Sequence, residues 1–215
     1  MDLENLQSEI KDSLKSLENI QNIITIFGSA RLKSDNKHYK KIKKLSYILA
    51  QNGYSIMTGG GSGIMEAANF GLKTYKDKNK DSSVYSIGLN IQLPFEQKMN
   101  NFVEIPLKFQ SFFSRKLVFN YNSTAFIVAI GGYGTLDELS EVLVQISTKK
   151  HKKIPIILYN KSYWSGFTKW LKKTMLKQGV ITKDELKLLK IANKPKEVLK
   201  ILNDFKKLDS QCHTS

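Results

Sequence analysis

The sequence predicts an α/β protein on a doubly wound parallel sheet, with six or seven strands flanked by helices in a single domain. Two observations carry this. Six apolar runs of strand length recur along the chain, and most are nearly continuous rather than alternating, the pattern of strands buried on both faces. Segments of helical length separate them, as parallel neighbours require, because the chain must cross back over the sheet between strands.

The elements follow in order. Leu3, Leu6, Ile10, Leu14, Leu17 and Ile20 recur at steps of three and four, which marks an amphipathic helix within residues 1–21. It is expected to rest on the domain or on a neighbouring subunit. Strand runs lie at 23–27, 54–57, 84–89, 102–105, 125–130 and 154–159, with crossover helices near 36–52, 64–76, 109–121 and 135–149. Residues 73–83 end in a polar charge cluster, the mark of a helix end and loop. Three further segments, 163–177, 183–190 and 195–208, read as helices with apolar residues on one side and lysines on the other. No repeat or proline-rich linker divides the chain, so residues 22–208 are expected to form one domain, followed by a tail at 209–215.

Composition narrows the function classes. Across 215 residues, 41% hydrophobic and 25% charged side chains are ordinary for a globular protein. The single cysteine, Cys212, rules out an internal disulfide and fits a reducing cytoplasm. The first residues lack a signal-peptide pattern, and no apolar run approaches the roughly 20 residues that span a bilayer, so no membrane partner is expected. The net charge of +15 is uneven: residues 1–54 carry +3, residues 55–148 carry 0 and residues 149–215 carry +12. The lysine-rich end shows no nucleic-acid module and reads as a solvated face rather than a nucleic-acid surface. His38, His151 and His213 are scattered, so neither a metal site nor a histidine-based nucleophile is expected, and no cofactor.

Two glycine turns carry the functional signal. Thr58-Gly59-Gly60-Gly61-Ser62-Gly63 and Gly131-Gly132-Tyr133-Gly134-Thr135 each join an apolar run to a helical stretch. Glycine permits close approach, and free N–H groups at a helix start attract an anion. Neither turn matches a dinucleotide fingerprint, because Gly28-Ser29-Ala30-Arg31 holds one glycine and the 59–63 spacing differs. Neither has the lysine of a triphosphate loop, since Gly63 meets Ile64 and Gly134 meets Thr135. Two loops at the carboxyl ends of parallel strands can instead converge on a ligand with one phosphate. The simpler reading is that the glycines only make tight turns and that Ser62 and Thr135 only cap helices.

Of 34 basic residues only Arg31 and Arg115 are arginine. A guanidinium holds a phosphate or a purine edge bidentately, a task lysine performs poorly, although a surface ion pair would also account for either arginine. Glu138 and Glu141 are three apart and share a helix face, with Asp137 expected to point elsewhere. Acidic groups in a first turn could merely complement the helix dipole. Beside a phosphate loop they gain a second meaning. Cleaving an N-glycosidic bond needs a carboxylate to orient water and face oxocarbenium charge, plus a cation or acid to help the base depart. Glu138 and Arg115 fit those roles.

These motifs resemble the LOG ("Lonely guy") family of cytokinin riboside 5′-monophosphate phosphoribohydrolases, often mislabelled lysine decarboxylases. The hallmark P-G-G-x-G-T-x-x-E corresponds to Ile130-Gly131-Gly132-Tyr133-Gly134-Thr135-Leu136-Asp137-Glu138. It is joined by T-G-G-G-x-G-I-M-E-A at Thr58 to Ala67 and by the pair Arg115-Lys116. Phe27-Gly28-Ser29-Ala30-Arg31, Leu93-Pro94-Phe95-Glu96-Gln97-Lys98 and Tyr163-Trp164-Ser165-Gly166 look like its longer bacterial branch.

The resemblance implies a Rossmann-like fold, a homodimer or higher homo-oligomer, and hydrolysis of AMP or an N6-modified AMP to free base and ribose 5-phosphate. Arg115 and Glu138 would be the catalytic pair. Gly131, Gly132, Gly134 and Thr135 would hold the phosphate, with Lys116 nearby. Tyr133 and the turn of Gly59, Gly60, Gly61, Ser62 and Gly63 would share in binding, and Ser29, Arg31 and Glu141 are further candidates. Ile130 departs from the hallmark proline and removes a φ restraint where strand becomes loop. A non-catalytic nucleotide or cofactor carrier on the same fold is the alternative.

Overall fold

The computed structural model describes residues 3–93 and 98–212. The first half of the chain alternates α1 (Leu3–Leu17), β1 (Ile23–Phe27), α2 (Lys37–Gln51), β2 (Ser55–Thr58), α3 (Ile64–Lys76) and β3 (Ser86–Ile91). The second half continues through β4 (Ile105–Phe109), α4 (Phe112–Asn122), β5 (Ala125–Val128), α5 (Tyr133–Ser147), β6 (Ile156–Tyr159), α6 (Lys161–Trp170), α7 (Lys183–Leu186), β7 (Leu189–Ala192) and α8 (Pro195–Cys212). The strands form one seven-stranded sheet in the order β4-β3-β2-β1-β5-β6-β7, with every described pairing parallel.

β1 lies at the centre and is fully buried, with Thr25 opposite Met57 of β2 on one side and Phe126 of β5 on the other. From β1 the chain winds outward to β4, then returns to the other flank of β1 and winds out to β7. This reversal opens a crevice at the carboxyl ends of β1 and β5, where open α/β sheets bind ligands.

Helices cover both faces, which is why the inner strands read as continuous apolar runs. Along β1, Ile24 and Ile26 join the core under α2, α3 and α8, while Ile23 and Phe27 join the core under α1, α4, α5 and α6. Thr25, the one polar side chain of β1, shares a 2.6 Å hydrogen bond with Ser123 just past α4. α1 rests on its own domain: Leu17 is buried, and the Glu9 carboxylate accepts hydrogen bonds from the Gln110 N–H (2.8 Å) and the Ser114 hydroxyl (2.6 Å).

The described elements differ from the sequence expectation at the sheet margins. Of the helix expected at 183–190 only Lys183–Leu186 forms, opened by a capping box between Thr182 and Glu185. The chain then turns into β7, the seventh strand, on β6. β7 is an edge strand with Lys190 and Ile191 in its middle, so it lacks the apolar run that marks the inner strands, and its lysine mimics a helix's polar face. β4, also an edge, begins at Ile105 rather than 102 and exposes Pro106 and Lys108 in alternation. α6 ends at Trp170 and loosens into a π-turn at Leu171–Met175. α8 carries its backbone through 209–212, into the expected tail. Pro94, Phe95, Glu96 and Gln97 lie outside the described residues.

Asn69 of α3 secures the carboxyl end of β2. Its fully buried amide accepts from the Thr58 hydroxyl (2.8 Å) and from Asn100 (3.0 Å), and donates to Ser86 (2.9 Å). Removing it strands several buried polar atoms at once, each costly without a partner. Asn69→Ala is expected to lower stability by about 2–3 kcal/mol in chemical denaturation. A loss under about 0.5 kcal/mol would show that water replaces the amide at no cost.

Candidate functional site

The crevice holds a cavity of about 720 Å³. Its walls come from the end of β1 and the residues after it (Phe27 to Leu32), Gly59 after β2, and the β5–α5 loop with the first turn of α5 (Ile130 to Thr135). Met65, Arg115, Phe119, Leu136, Glu138 and Tyr163 complete it. The first and last loops are joined directly, because the Ser29 N–H donates to the Ile130 carbonyl at 2.9 Å.

The β5–α5 loop has the form of an anion site. α5 starts at Tyr133, its N-cap is Gly132 with no side-chain cap, and its first turn contains no acidic residue. Asp137 and Glu138 therefore fall in the second turn, and dipole complementation does not account for them. The positive end of the helix is left open toward the cavity wall. Gly131 is sterically required: a Cβ there would come within 2.0 Å of the Thr135 hydroxyl oxygen. Gly132 and Gly134 meet no atom within 4 Å, so internal packing does not demand glycine at either; a ligand approaching the backbone would.

The first glycine turn is built differently, and only Gly59 lines the cavity. Gly60 and Gly63 have φ of +70° and +69°, and a Cβ on Gly63 would meet the Ser29 carbonyl at 2.3 Å. Asn100 donates to the carbonyls of Gly60 and Gly61, both at 3.0 Å, and the Ser62 hydroxyl donates to the Ala30 carbonyl at 2.8 Å. Ser62 does not cap α3, which has no side-chain cap. The expected cradle of Gly60, Gly61, Ser62 and Gly63 is thus a brace holding the β1 loop against α3.

Arg115 of α4 and Glu138 of α5 meet in the cavity wall, Nη2 to Oε1 at 3.1 Å, with side chains only 12% and 8% exposed. The guanidinium also lies 5.1 Å from the Phe112 ring centre and 5.7 Å from that of Phe119, and its Nε is buried without a partner. Burial pushes the Glu138 carboxyl above its ordinary value despite the opposing pull of Arg115 and Lys116. Burial likewise lowers Arg115, against the pull of Glu138. The pair is desolvated, close and coupled.

The remaining carboxylates are placed otherwise than expected. Lys116 binds both Asp137 (2.8 Å) and Glu141 (3.2 Å), and Glu141 also accepts from Gln145 at 3.1 Å. Asp137 and Glu141, four apart, therefore share a face while Glu138 turns inward to Arg115. Neither Lys116 nor Glu141 lines the cavity. Burial disfavours the Lys116 ammonium, but its bonds to Asp137 and Glu141 and the charge of Glu138 outweigh that and raise its pKa. A Schiff-base lysine needs the opposite shift, and among the described residues no lysine lines the cavity, so its residues do not fit pyridoxal-phosphate decarboxylation.

Ser29 and Arg31 stand on the cavity rim, where the Ser29 hydroxyl accepts from the Arg31 N–H at 3.1 Å. Arg31 is exposed and forms no ion pair with the described residues. Tyr133 lies at the mouth, 92% exposed. Sequence reasoning missed the apolar walls Leu32, Met65 and Phe119 and the brace residues Asn69 and Asn100. Asn69 carried one signal, an amide amid the buried face of α3. Among the described residues no group of three or more His, Cys, Asp or Glu could hold a metal ion, and no helix is long and apolar enough to cross a membrane.

Fold and site together define a Rossmann-like α/β protein with a glycine-loop pocket at the switch point of its sheet. A family model described as "Possible lysine decarboxylase" matches residues 65–202. The chain belongs to this family, the LOG family of its sequence motifs. It is 25% identical over 84% of its length to a bifunctional cytokinin biosynthesis protein of Fusarium pseudograminearum, and spans 40% of that protein. It is 32% identical over 101 residues to cytokinin riboside 5′-monophosphate phosphoribohydrolase LOG4 of Arabidopsis thaliana, 47% of this chain and 45% of the relative. Thus the chain spans less than half the length of either relative. Among solved structures, the molybdenum cofactor binding protein of Rippkaea orientalis superposes with TM-score 0.58 at 21% identity, over 87% of this chain and 98% of that one. The molybdenum cofactor carrier protein of Chlamydomonas reinhardtii does so with TM-score 0.55 at 20% identity, over 86% and 98%. At these identities the likeness is one of fold.

The two kinds of glycine in the β5–α5 loop are separable by experiment. Gly131→Ala is expected to lower the unfolding temperature by several degrees, since its Cβ overlaps Thr135. Gly134→Ala, in a helix with open space around it, should leave that temperature unchanged or raise it while weakening ligand binding. Equal thermal shifts in the two variants would contradict this division.

Proposed function

We propose that the protein is a hydrolase that cleaves the N-glycosidic bond of a nucleoside 5′-monophosphate, AMP or an N6-modified AMP, releasing free base and ribose 5-phosphate. One observation carries the reading: a buried Arg115–Glu138 pair opens into the same cavity as the uncapped start of α5. The phosphate occupies the N–H groups at Gly132, Tyr133 and Gly134, with the Thr135 hydroxyl beside them. That anchor sets the ribose against Glu138. Its carboxylate orients water at the anomeric carbon and faces the positive charge that develops as the bond to the base breaks. Arg115 holds that carboxylate in place and supplies the cation that assists the departing base. Phe27, Leu32, Met65 and Phe119 give the apolar walls that suit a purine. The names of the Fusarium and Arabidopsis relatives support the same chemistry.

A non-catalytic carrier is the second reading, favoured by the solved structures described as molybdenum cofactor binding and carrier proteins. One assay separates the two. Incubation with a panel of nucleoside monophosphates should release free base and ribose 5-phosphate. Nucleotide recovered intact from a stoichiometric complex would instead establish the carrier.

Glu138→Gln and Arg115→Ala should each cut turnover by at least about a hundredfold while the unfolding transition stays cooperative. Turnover near wild type in either variant means the reacting groups lie elsewhere. The pH profile follows from burial. The reaction needs ionised Glu138, and the raised pKa means that the ionised form is lost at a higher pH than for an ordinary carboxylate. The acid limb of kcat/KM, which reports the free enzyme, should therefore sit above 4.5, the ordinary glutamate value. An acid limb below that value would contradict the assignment.

Self-association is part of the proposal. Phe112, Phe113 and Tyr121 on α4 and Val144 on α5 are half or more exposed, which supports a homo-oligomer formed through these helices. Sedimentation of Phe113→Glu should then show a smaller species than wild type, and identical sedimentation would remove this surface from consideration.

A further inference from the structure

We propose that Tyr163 is a positioning residue for the phosphate site: by holding the Gly131 carbonyl, it locks the Gly131–Gly132 peptide in the orientation that presents its N–H as a donor to the anion. The inference rests on the phosphate reading of the cavity and names a part of it that the glycines do not supply.

The loop presents three carbonyls in succession. That of Ile130 accepts from the Ser29 N–H at 2.9 Å, and that of Gly132 accepts from the N–H groups of Thr135 and Leu136, both at 3.1 Å. Between these fixed points lies one peptide unit, the carbonyl of Gly131 with the N–H of Gly132. It is rigid and trans, so its carbonyl and N–H point in opposite directions and turn together. Glycine flanks it on both sides, so turning it over meets little of the steric penalty that a Cβ would impose. Such a turn would put an oxygen where the anion needs a donor.

The Tyr163 hydroxyl donates to the Gly131 carbonyl and closes this freedom. Its own position is secured. The Tyr163 ring meets Trp164 edge-on with centroids 5.0 Å apart, and the buried Trp164 indole N–H donates to the Val128 carbonyl at 3.1 Å. Two adjacent residues at the start of α6 thus grip two carbonyls of one segment, Val128 at the end of β5 and Gly131 in the loop. The tryptophan fixes the strand, and the tyrosine fixes the direction of the amide beyond it.

The test is Tyr163→Phe, which keeps the ring against Trp164 and deletes only the donor. Calorimetric titration should show ribose 5-phosphate and inorganic phosphate binding roughly three- to tenfold more weakly than to wild type, the size expected for one lost hydrogen bond. Adenosine, which lacks the phosphate, should bind within about twofold of wild type, and the unfolding temperature should fall by no more than a few degrees. With AMP, KM should rise while kcat stays nearly constant. Unchanged affinity for ribose 5-phosphate overturns the inference and leaves the phosphate reading standing. An equal loss of adenosine affinity also overturns it, since the damage would then be to the whole cavity. Wild-type protein that binds neither ribose 5-phosphate nor phosphate removes the phosphate reading and this inference together.

Discussion

The burial of opposite charges at Arg115 and Glu138 is the constraint on which the rest of the site depends. An ion pair this far from water is costly unless each partner is held close to the other, and losing either one leaves a charge stranded. The fold meets the requirement by taking one charge from each of two adjacent helices, α4 and α5, and packing both helices on the same face of the sheet. Phe112 and Phe119 shield the guanidinium. Lys116, next in sequence to Arg115, draws Asp137 and Glu141 toward solvent and leaves Glu138 to face inward. Three carboxylates near two cations are thereby sorted into one buried pair and one half-exposed triad.

The same sheet geometry decides where the pair acts. Because β5 returns beside β1 instead of continuing outward from β4, the loops after β1 and β5 face each other and share a backbone hydrogen bond. The apolar walls, the helix start and the ion pair are then neighbours without any long excursion of the chain.

Much of this was legible in the sequence because the responsible physics is local. Inner strands buried on both faces gave continuous apolar runs, and the scarcity of arginine singled out Arg115. The open glycines 132 and 134 stood a turn before the carboxylate that pairs with Arg115. What escaped detection depended on partners distant in the chain. The edge strand β7 wears lysines that mimic a helix face. Gly60, Gly61, Ser62 and Gly63 look like a phosphate cradle, yet their contacts are to Ser29, Ala30 and Asn100, which no spacing rule connects to them. The division of Asp137, Glu138 and Glu141 between two cations turned on where α4, from a distant stretch of sequence, places Arg115 and Lys116 against α5. Family membership and the structural likenesses set the fold firmly, while the proposed chemistry rests on the pair and the loop themselves.

The docking of α1 carries a consequence for how this protein is handled and how it varies. Glu9 accepts from the Gln110 N–H and the Ser114 hydroxyl, the latter on the residue directly before Arg115. The opening helix is thus a splint on the root of the guanidinium, although it lies about a hundred positions away in sequence. Trimming it to obtain a minimal domain, or fusing a bulky partner against it, would reach the buried charge through a single carboxylate. What looks like a dispensable leader is part of the foundation of the pocket.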